Sequence, residues 1–148
     1  MQQDLLDFVY DVIIADPVLQ AEFHNNSVDI RYTWQNDEEV FPYITHFFRL
    51  RPVGPWGLVQ ARWTINVWDY GPDGARALRI HRRLKTLFDK LYYQQVENIS
   101  CLRFFLEGES TDVEKEDRIW HNVLMFGVRY ADNEHIESIC TRDNPMLS

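Results

Sequence analysis

Hydrophobic and polar residues alternate most regularly between Leu58 and Trp68. The apolar residues at every second position are Val59, Ala61, Trp63, Ile65 and Val67, with Gln60, Arg62, Thr64 and Asn66 between them. A period of two is typical of a β-strand that buries one of its faces. The pattern therefore predicts a long strand whose apolar face packs against the rest of the chain.

A second pattern follows segment 69–74, a turn in which Pro72 suits the first turn of a helix. Apolar residues then recur every three or four positions, at Ala77, Ile80, Leu84, Leu87 and Leu91. The opposite side carries a run of basic residues, Arg76, Arg79, Arg82, Arg83 and Lys85. This spacing predicts an amphipathic helix that packs on the sheet and exposes a basic face.

The other elements are predicted from shorter stretches of the same patterns. Residues 3–15 form a first helix, and Asp16 followed by Pro17 indicates a helix cap and a short second helical turn. Strands are predicted over 28–34, 43–51, 96–106 and 118–131, with a stiff turn at 52–57 and an acidic loop at 107–117. The last strand is long enough that it should project beyond the body or bend at Gly127.

Together these elements predict an α+β fold, a mainly antiparallel sheet of four to five strands with two helices packed against one face. Residues 1–131 are expected to form a single domain. Residues 132–148 are expected to form a polar C-terminal tail that orders only against an assembly partner.

Composition narrows the class of protein. The chain has 148 residues and a net charge of -8, which argues against a general nucleic-acid binder. It contains no apolar stretch of membrane-spanning length and no signal pattern, so we expect an unexported protein without a membrane partner. Its two cysteines, Cys101 and Cys140, lack metal-site spacing and are expected to be reduced, with Cys101 a buried inert thiol.

The sequence contains no recognisable catalytic or cofactor motif. His46 and His121 fall in strands that are candidates to lie side by side, which would allow a two-histidine metal site, but no acidic third ligand has a fitting spacing. The acidic run at 107–117 lacks the residue order of a calcium-binding EF-hand loop. We therefore expect no enzyme, no cofactor and no metal.

The order of these segments resembles that of the tail terminator, or tail-completion, proteins of long-tailed bacteriophages. The matching segments are Phe41-Pro42-Tyr43-Ile44, Ile65-Asn66-Val67-Trp68, the helix opening Asp73 to Ile80, and the strand Trp120 to Val128. The resemblance covers most of the chain and departs from the family at the 52–57 turn and after Ala131. It brings no catalytic residues with it.

The resemblance implies a structural virion protein, assembled in the host cytoplasm and located in the tail or neck. Such proteins form a homo-oligomeric, six-membered ring on the end of the tail tube and stop its polymerisation. The ring then provides the docking surface for the head connector, and DNA passes through its channel without specific binding. A net charge of -8 suits a channel that should not grip phosphate.

A ring of identical subunits needs two complementary surfaces on each subunit. The basic helix residues Arg76, Arg79 and Arg83 are predicted to face the neighbour's acidic run; the alternative is two solvated faces. The acidic candidates are Glu109, Asp112, Glu114 and Glu116. Trp56, in the 52–57 turn, is either an apolar anchor for an adjoining ring or packs back on its own strand.

Two other functions fit the same sequence. The first is a head-completion or stopper protein at the neck of the same assembly. The second is a small cytosolic α+β binding domain or enzyme whose ligand lies among the aromatic residues, with His46 and His121 in its pocket.

Overall fold

A computed structural model of the chain describes residues 3–33, 40–52, 57–114 and 118–133, with backbone only for Pro52 and 112–114. The turn containing Trp56, the residue Glu116 and the segment 134–148 lie outside the described residues. The elements in chain order are α1 (Gln3–Ile14), α2 (Pro17–Gln20), a 3-10 turn (His24–Asn26), β1 (Ile30–Tyr32), β2 (Tyr43–Pro52), β3 (Leu58–Tyr70), α3 (Ala75–Phe88), β4 (Tyr92–Val96), β5 (Ile99–Glu114) and β6 (Ile119–Asp132).

The strands form one sheet in the order β1-β2-β3-β6-β5-β4. Only β1 and β2 pair in parallel, so the prediction of a mainly antiparallel sheet is confirmed. The prediction of four to five strands is wrong, because the described sheet has six. The strand that was missed is β4, an edge strand of sequence YYQQV with four of its five residues exposed, which has no alternating apolar face to reveal it.

Residues 107–114 of the acidic segment predicted as a loop form the second half of β5. Strand β5 pairs with β6 as far as Glu114 opposite Ile119. A register shift between Leu106 and Gly108 leaves Glu107 as the extra residue of a β-bulge. This bulge lies beside Gly127, where a Cβ atom would come within 2.4 Å of the Phe105 ring. The last strand was expected to project beyond the body or to bend at Gly127; β6 pairs with both of its neighbours at Gly127, and the bulge lies in β5.

A second register shift in β5 lies between Ser100 and Arg103. Cys101 belongs to it, with a φ of 55°, and its side chain is exposed. The expectation of a buried thiol at this position is wrong, because the bulge turns the residue out of the sheet.

The core lies between the sheet and the helices. Trp63 of β3 is fully buried; its ring stacks on Phe48 at 5.4 Å and meets the edge of Phe88 of α3 at 4.7 Å. Phe8 of α1 stacks on Phe104 of β5 at 6.1 Å, on the same side of the sheet. The prediction that the two long helices pack against one face is confirmed, and the buried residues form a single cluster.

Helix α3 begins later than Pro72 suggested, because Gly74 precedes its first residue, Ala75, with a left-handed φ of 63°. A Cβ atom at Gly74 would lie 2.5 Å from the Trp120 ring. The Trp120 indole Nε1 donates a hydrogen bond to the Gly71 carbonyl oxygen at 2.9 Å. The turn is thus packed onto β6, and Pro72 lies within it.

Candidate assembly interface

The three helix arginines chosen from the sequence are each bound to a carboxylate of the same chain. Arg76 binds Asp69 with contacts of 2.7 and 2.8 Å. Arg79 binds Glu22 at 2.9 and 3.0 Å, and Arg83 binds Asp16 at 2.6 and 2.9 Å. These bidentate pairs fix α3 to the end of β3 and to the α1–α2 region. A role for them toward a neighbouring subunit stays a prediction.

Asp16 has two structural functions, and the sequence predicted the first of them, the helix cap. Its Oδ2 accepts a hydrogen bond from the Leu19 backbone N–H at 2.9 Å and so caps α2. The Arg83 guanidinium beside it holds the pKa of the Asp16 carboxyl below its usual value. The pair with Arg83 requires the charged carboxylate, so this corner of the core depends on a buried anion.

Of the predicted acidic residues, the structure describes the side chain of Glu109 alone. Its carboxylate lies 3.4 Å from Lys85 Nζ and 3.6 Å from His81 Nε2, both of α3 in the same chain. Asp112 and Glu114 belong to β5, and Glu116 lies outside the described residues. Burial lowers the pKa of His81, although the nearby Glu109 carboxylate acts in the opposite direction.

His46 and His121 do not form a shared site. Strand β3 separates their strands, and the two side chains project from opposite faces of the sheet. The buried His46 Nδ1 accepts a hydrogen bond from Trp63 Nε1 at 3.0 Å, and burial lowers the pKa of His46 to about 4. Across the described residues, no group of three or more potential ligands is placed to hold a metal ion.

The side of the sheet opposite the helices, called the open face below, is a further candidate surface. Side chains alternate along a strand, so Thr64, Asn66 and Trp68 project from it while Trp63, Ile65 and Val67 project into the core. At one end, the Trp68 ring stacks on His121 at 3.7 Å and on Tyr43 at 6.2 Å. Because α1, α2 and α3 all pack on the other side, this aromatic row is not covered by a described helix.

The other end of the open face carries an arginine cluster that consists of Arg49, Arg51, Arg62, Arg103 and Arg129. Register places Arg49 directly opposite Arg62, and Arg103 directly opposite Arg129. Like charges directly opposite one another destabilise a sheet, so folding alone gives no reason for this arrangement. Within the described residues, the one ion pair of the cluster joins Arg62 to Glu107 at 3.3 Å.

Sequence reasoning missed this cluster because its members are spread over four strands. Their common signal is an arginine at a polar position of an alternating strand, which becomes a cluster only when strand order and register are known.

Two open grooves adjoin charged surfaces. A groove of about 490 Å³ at the arginine cluster is lined by Lys90, Tyr92, Arg103, Phe105 and Arg129, among others. A groove of about 540 Å³ between α1 and β4 is lined by Asp4, Asp7, Phe8, Asp11, Val12, Val96 and Glu97. The first combines cations with aromatic rings, and the second combines carboxylates with apolar side chains.

No protein-family model matches the chain, and no curated protein matches it. Among solved structures, a chain from the virion of a native gene transfer agent particle matches with a TM-score of 0.63 and 14% sequence identity. The match covers 83% of this chain and 91% of that chain. The chain shares its fold with a virion protein.

A second solved structure, of a protein with no functional name, matches with a TM-score of 0.55 and 17% identity. That match covers 88% of this chain and 96% of that chain. At these identities both likenesses concern the fold. Among the described residues, none of the helices is long and apolar enough to cross a membrane.

Proposed function

We propose that this chain is a structural protein of a phage-type virion and, within it, the tail terminator. The observation that carries the proposal is the shared fold with a protein of the gene transfer agent virion over 91% of that chain. The match extends over most of both chains, so the similarity concerns the overall fold and not one local motif.

The segments that resemble tail terminators are neighbours in the fold, which supports the finer proposal. Tyr43 of the first segment pairs with Trp68 of the second, and Ile44 pairs with Val67. The strand segment from Trp120 pairs with the same part of β3, since Trp68 lies opposite His121. The helix segment follows directly after β3 and packs on it. The resemblance therefore concerns one continuous part of the molecule.

In this proposal the subunits form a six-membered ring on the end of the tail tube. The ring blocks further addition of tube subunits and offers its free side to the head connector, and DNA passes through the channel. The chain acts as one domain over 1–131, and residues 132–148 order on contact with a partner. Its action is mechanical, so neither a catalytic residue nor a cofactor is required.

A test uses tail tubes prepared from the same source and imaged by negative-stain electron microscopy. The protein should add density to one end of each tube and should halt elongation when tube subunits are supplied. A matched incubation with DNA-filled heads that lack tails separates terminator from neck stopper. Binding to heads but not to tubes would make the stopper the better assignment, and binding to neither would refute both.

A further inference from the structure

We propose that the arginine cluster of the open face binds the acidic side of α1 in a second copy of this chain. The proposal deepens the ring function proposed above by naming the two surfaces that join neighbouring subunits. It concerns contacts between copies and does not depend on which virion component the ring caps.

The arginine cluster is unusual because it concentrates positive charge on one surface of a negatively charged protein. The chain has a net charge of -8, and three of the four arginines of α3, Arg76, Arg79 and Arg83, are bound to carboxylates of the same chain. In the cluster, by contrast, Arg103 lies over the Tyr92 ring at 5.6 Å and Arg129 over the Phe105 ring at 5.3 Å. Guanidinium groups held over aromatic rings remain able to bind carboxylates, because ring stacking leaves their N–H donors free to point outward.

The acidic side of α1 provides the matching charge. Asp4, Asp7 and Asp11 follow one another along one stripe of the helix, opposite the buried residues Leu5, Val9 and Ile13. Glu97 lines the same groove, and no basic residue is among the described residues that line it. Asp4 accepts a hydrogen bond from the Asn98 backbone N–H at 3.3 Å, and Asp7 accepts one from Gln3 at 2.8 Å. Within the described residues no cation pairs with any of the three aspartates, so the stripe keeps its negative charge.

The two surfaces lie on opposite sides of the molecule. Helix α1 packs on the core side of the sheet through Phe8 and Phe104, whereas the arginines project from the open face. One copy therefore cannot join the two surfaces within itself. A contact between unlike surfaces of identical subunits is heterologous, and it closes into a ring when the rotation per subunit allows. Charge complementarity thus favours a second copy of this chain as the partner that binds the arginine cluster.

The phosphate backbone of DNA is the other anionic ligand that arginines commonly bind. The overall charge of the subunit opposes binding of a polyanion, whereas a second copy supplies carboxylates alongside apolar groups such as Val12 and Val96. DNA binding is therefore kept as a separate outcome of the test.

The test reverses one surface at a time and measures association by native mass spectrometry and analytical ultracentrifugation, at low salt and up to millimolar subunit concentration. The first variant carries Arg49→Glu and Arg129→Glu, and the second carries Asp7→Lys and Asp11→Lys. All four side chains are exposed, and none forms an ion pair within the described residues. Arg82→Glu, an exposed arginine of α3 outside the cluster, is the matched control, and circular dichroism checks the fold of each variant.

Each single-surface variant should self-associate about tenfold or more weakly than the unaltered chain, and the control should not. In a mixture of the two variants, the intact arginine cluster of one meets the intact acidic side of α1 of the other, and the two reversed surfaces are complementary as well. The mixture should therefore regain association through alternating copies of the two variants. A chain with both surfaces reversed should regain self-association, because its charges are again complementary.

Three results would overturn the inference: no self-association of the unaltered chain under these conditions, single-surface variants that self-associate as strongly as the unaltered chain, or a mixture of the two variants that does not associate. Loss of binding to duplex DNA in the arginine variant, with self-association unchanged, would assign the cluster to phosphate instead. Tube capping is scored separately. If the protein caps tubes but its self-association is unchanged by the charge reversals, the interface alone is refuted. If it self-associates as expected but does not cap tubes, the terminator role alone is refuted.

Discussion

At the scale of single residues, His46 should make the stability of the folded protein depend on pH. Its buried imidazole accepts a hydrogen bond from Trp63, packs against the rings of Tyr32 and Phe48, and has its pKa lowered by burial from 6.5 to about 4. The unfolded chain therefore binds more protons than the folded one between these values. Stability should be complete above pH 6.5 and fall by about 3 kcal/mol as the pH drops toward 4.

Urea unfolding across this pH range measures the effect. The variant His46→Gln, which keeps a side-chain acceptor but does not titrate, should be less stable at neutral pH and should show a flatter pH dependence. His81, whose pKa is also lowered by burial, should supply a smaller remaining slope of the same sign. An unchanged slope in the His46→Gln variant would contradict the assignment.

Asp16 is the second residue on which stability should depend. Asp16→Asn keeps a capping oxygen for Leu19 but loses the charge-assisted pair with Arg83 and should destabilise the fold by about 2 kcal/mol. Asp16→Ala loses both contacts and should cost about 1 kcal/mol more. Thermal or urea unfolding measures both changes.

A double-mutant cycle with Arg83→Met separates the ion pair from the cap. In the Arg83→Met background, Asp16→Asn should have a much smaller effect, whereas Asp16→Ala should keep the effect of the lost cap. Equal effects of Asp16→Asn in both backgrounds would mean that the pair does not stabilise the protein.

At the scale of elements, the bulge in β5 determines which residues face the helices. Because Glu107 is the extra residue, Glu109 reaches His81 and Lys85 on the helix side and Gly108 faces Met125 on the other. Deletion of Glu107 should turn every following residue of β5 to the opposite face. We expect loss of hydrogen-exchange protection along the β5–β6 hairpin, measured by amide exchange.

Glu107→Ala is the matched control, since it keeps the chain length and the bulge. It removes only the exposed contact with Arg62, and its exchange profile should resemble that of the unaltered chain within a few tenths of a kcal/mol. A deletion variant with normal protection would show that the strand tolerates either register.

The elements that could be predicted from the sequence are those that contact the core. Strand β3 and helix α3 have clear apolar periodicities, and both were found close to their predicted limits. Strand β4 and the second half of β5 were missed because they lie at the edge or extend beyond the core, where polar residues are tolerated on both faces. An alternating pattern of apolar residues reveals a strand only when one of its faces is buried, and these two segments bury few side chains.

At the scale of the whole molecule, the sequence did not reveal which charged side chains pair with one another. The sequence shows the basic residues of α3 as a contiguous run, yet the fold brings Asp16 and Glu22 to Arg83 and Arg79 from more than fifty residues away, and Asp69 to Arg76 from the end of β3. The arginine cluster is scattered in sequence and assembled by strand order and register. Which charges are neutralised within the chain depends on tertiary structure, so composition and local spacing do not reveal it.

The placement of the arginine cluster and the acidic side of α1 on opposite sides of the sheet has a genetic consequence. In the ring proposed above, a subunit altered on one side alone would still join through the other side and would then leave the ring without an attachment point. The fraction of complete rings falls as the fraction of normal subunits raised to the number of ring positions. A mutation of this kind is therefore dominant: a minority of altered chains, produced beside normal ones, would prevent most assembly.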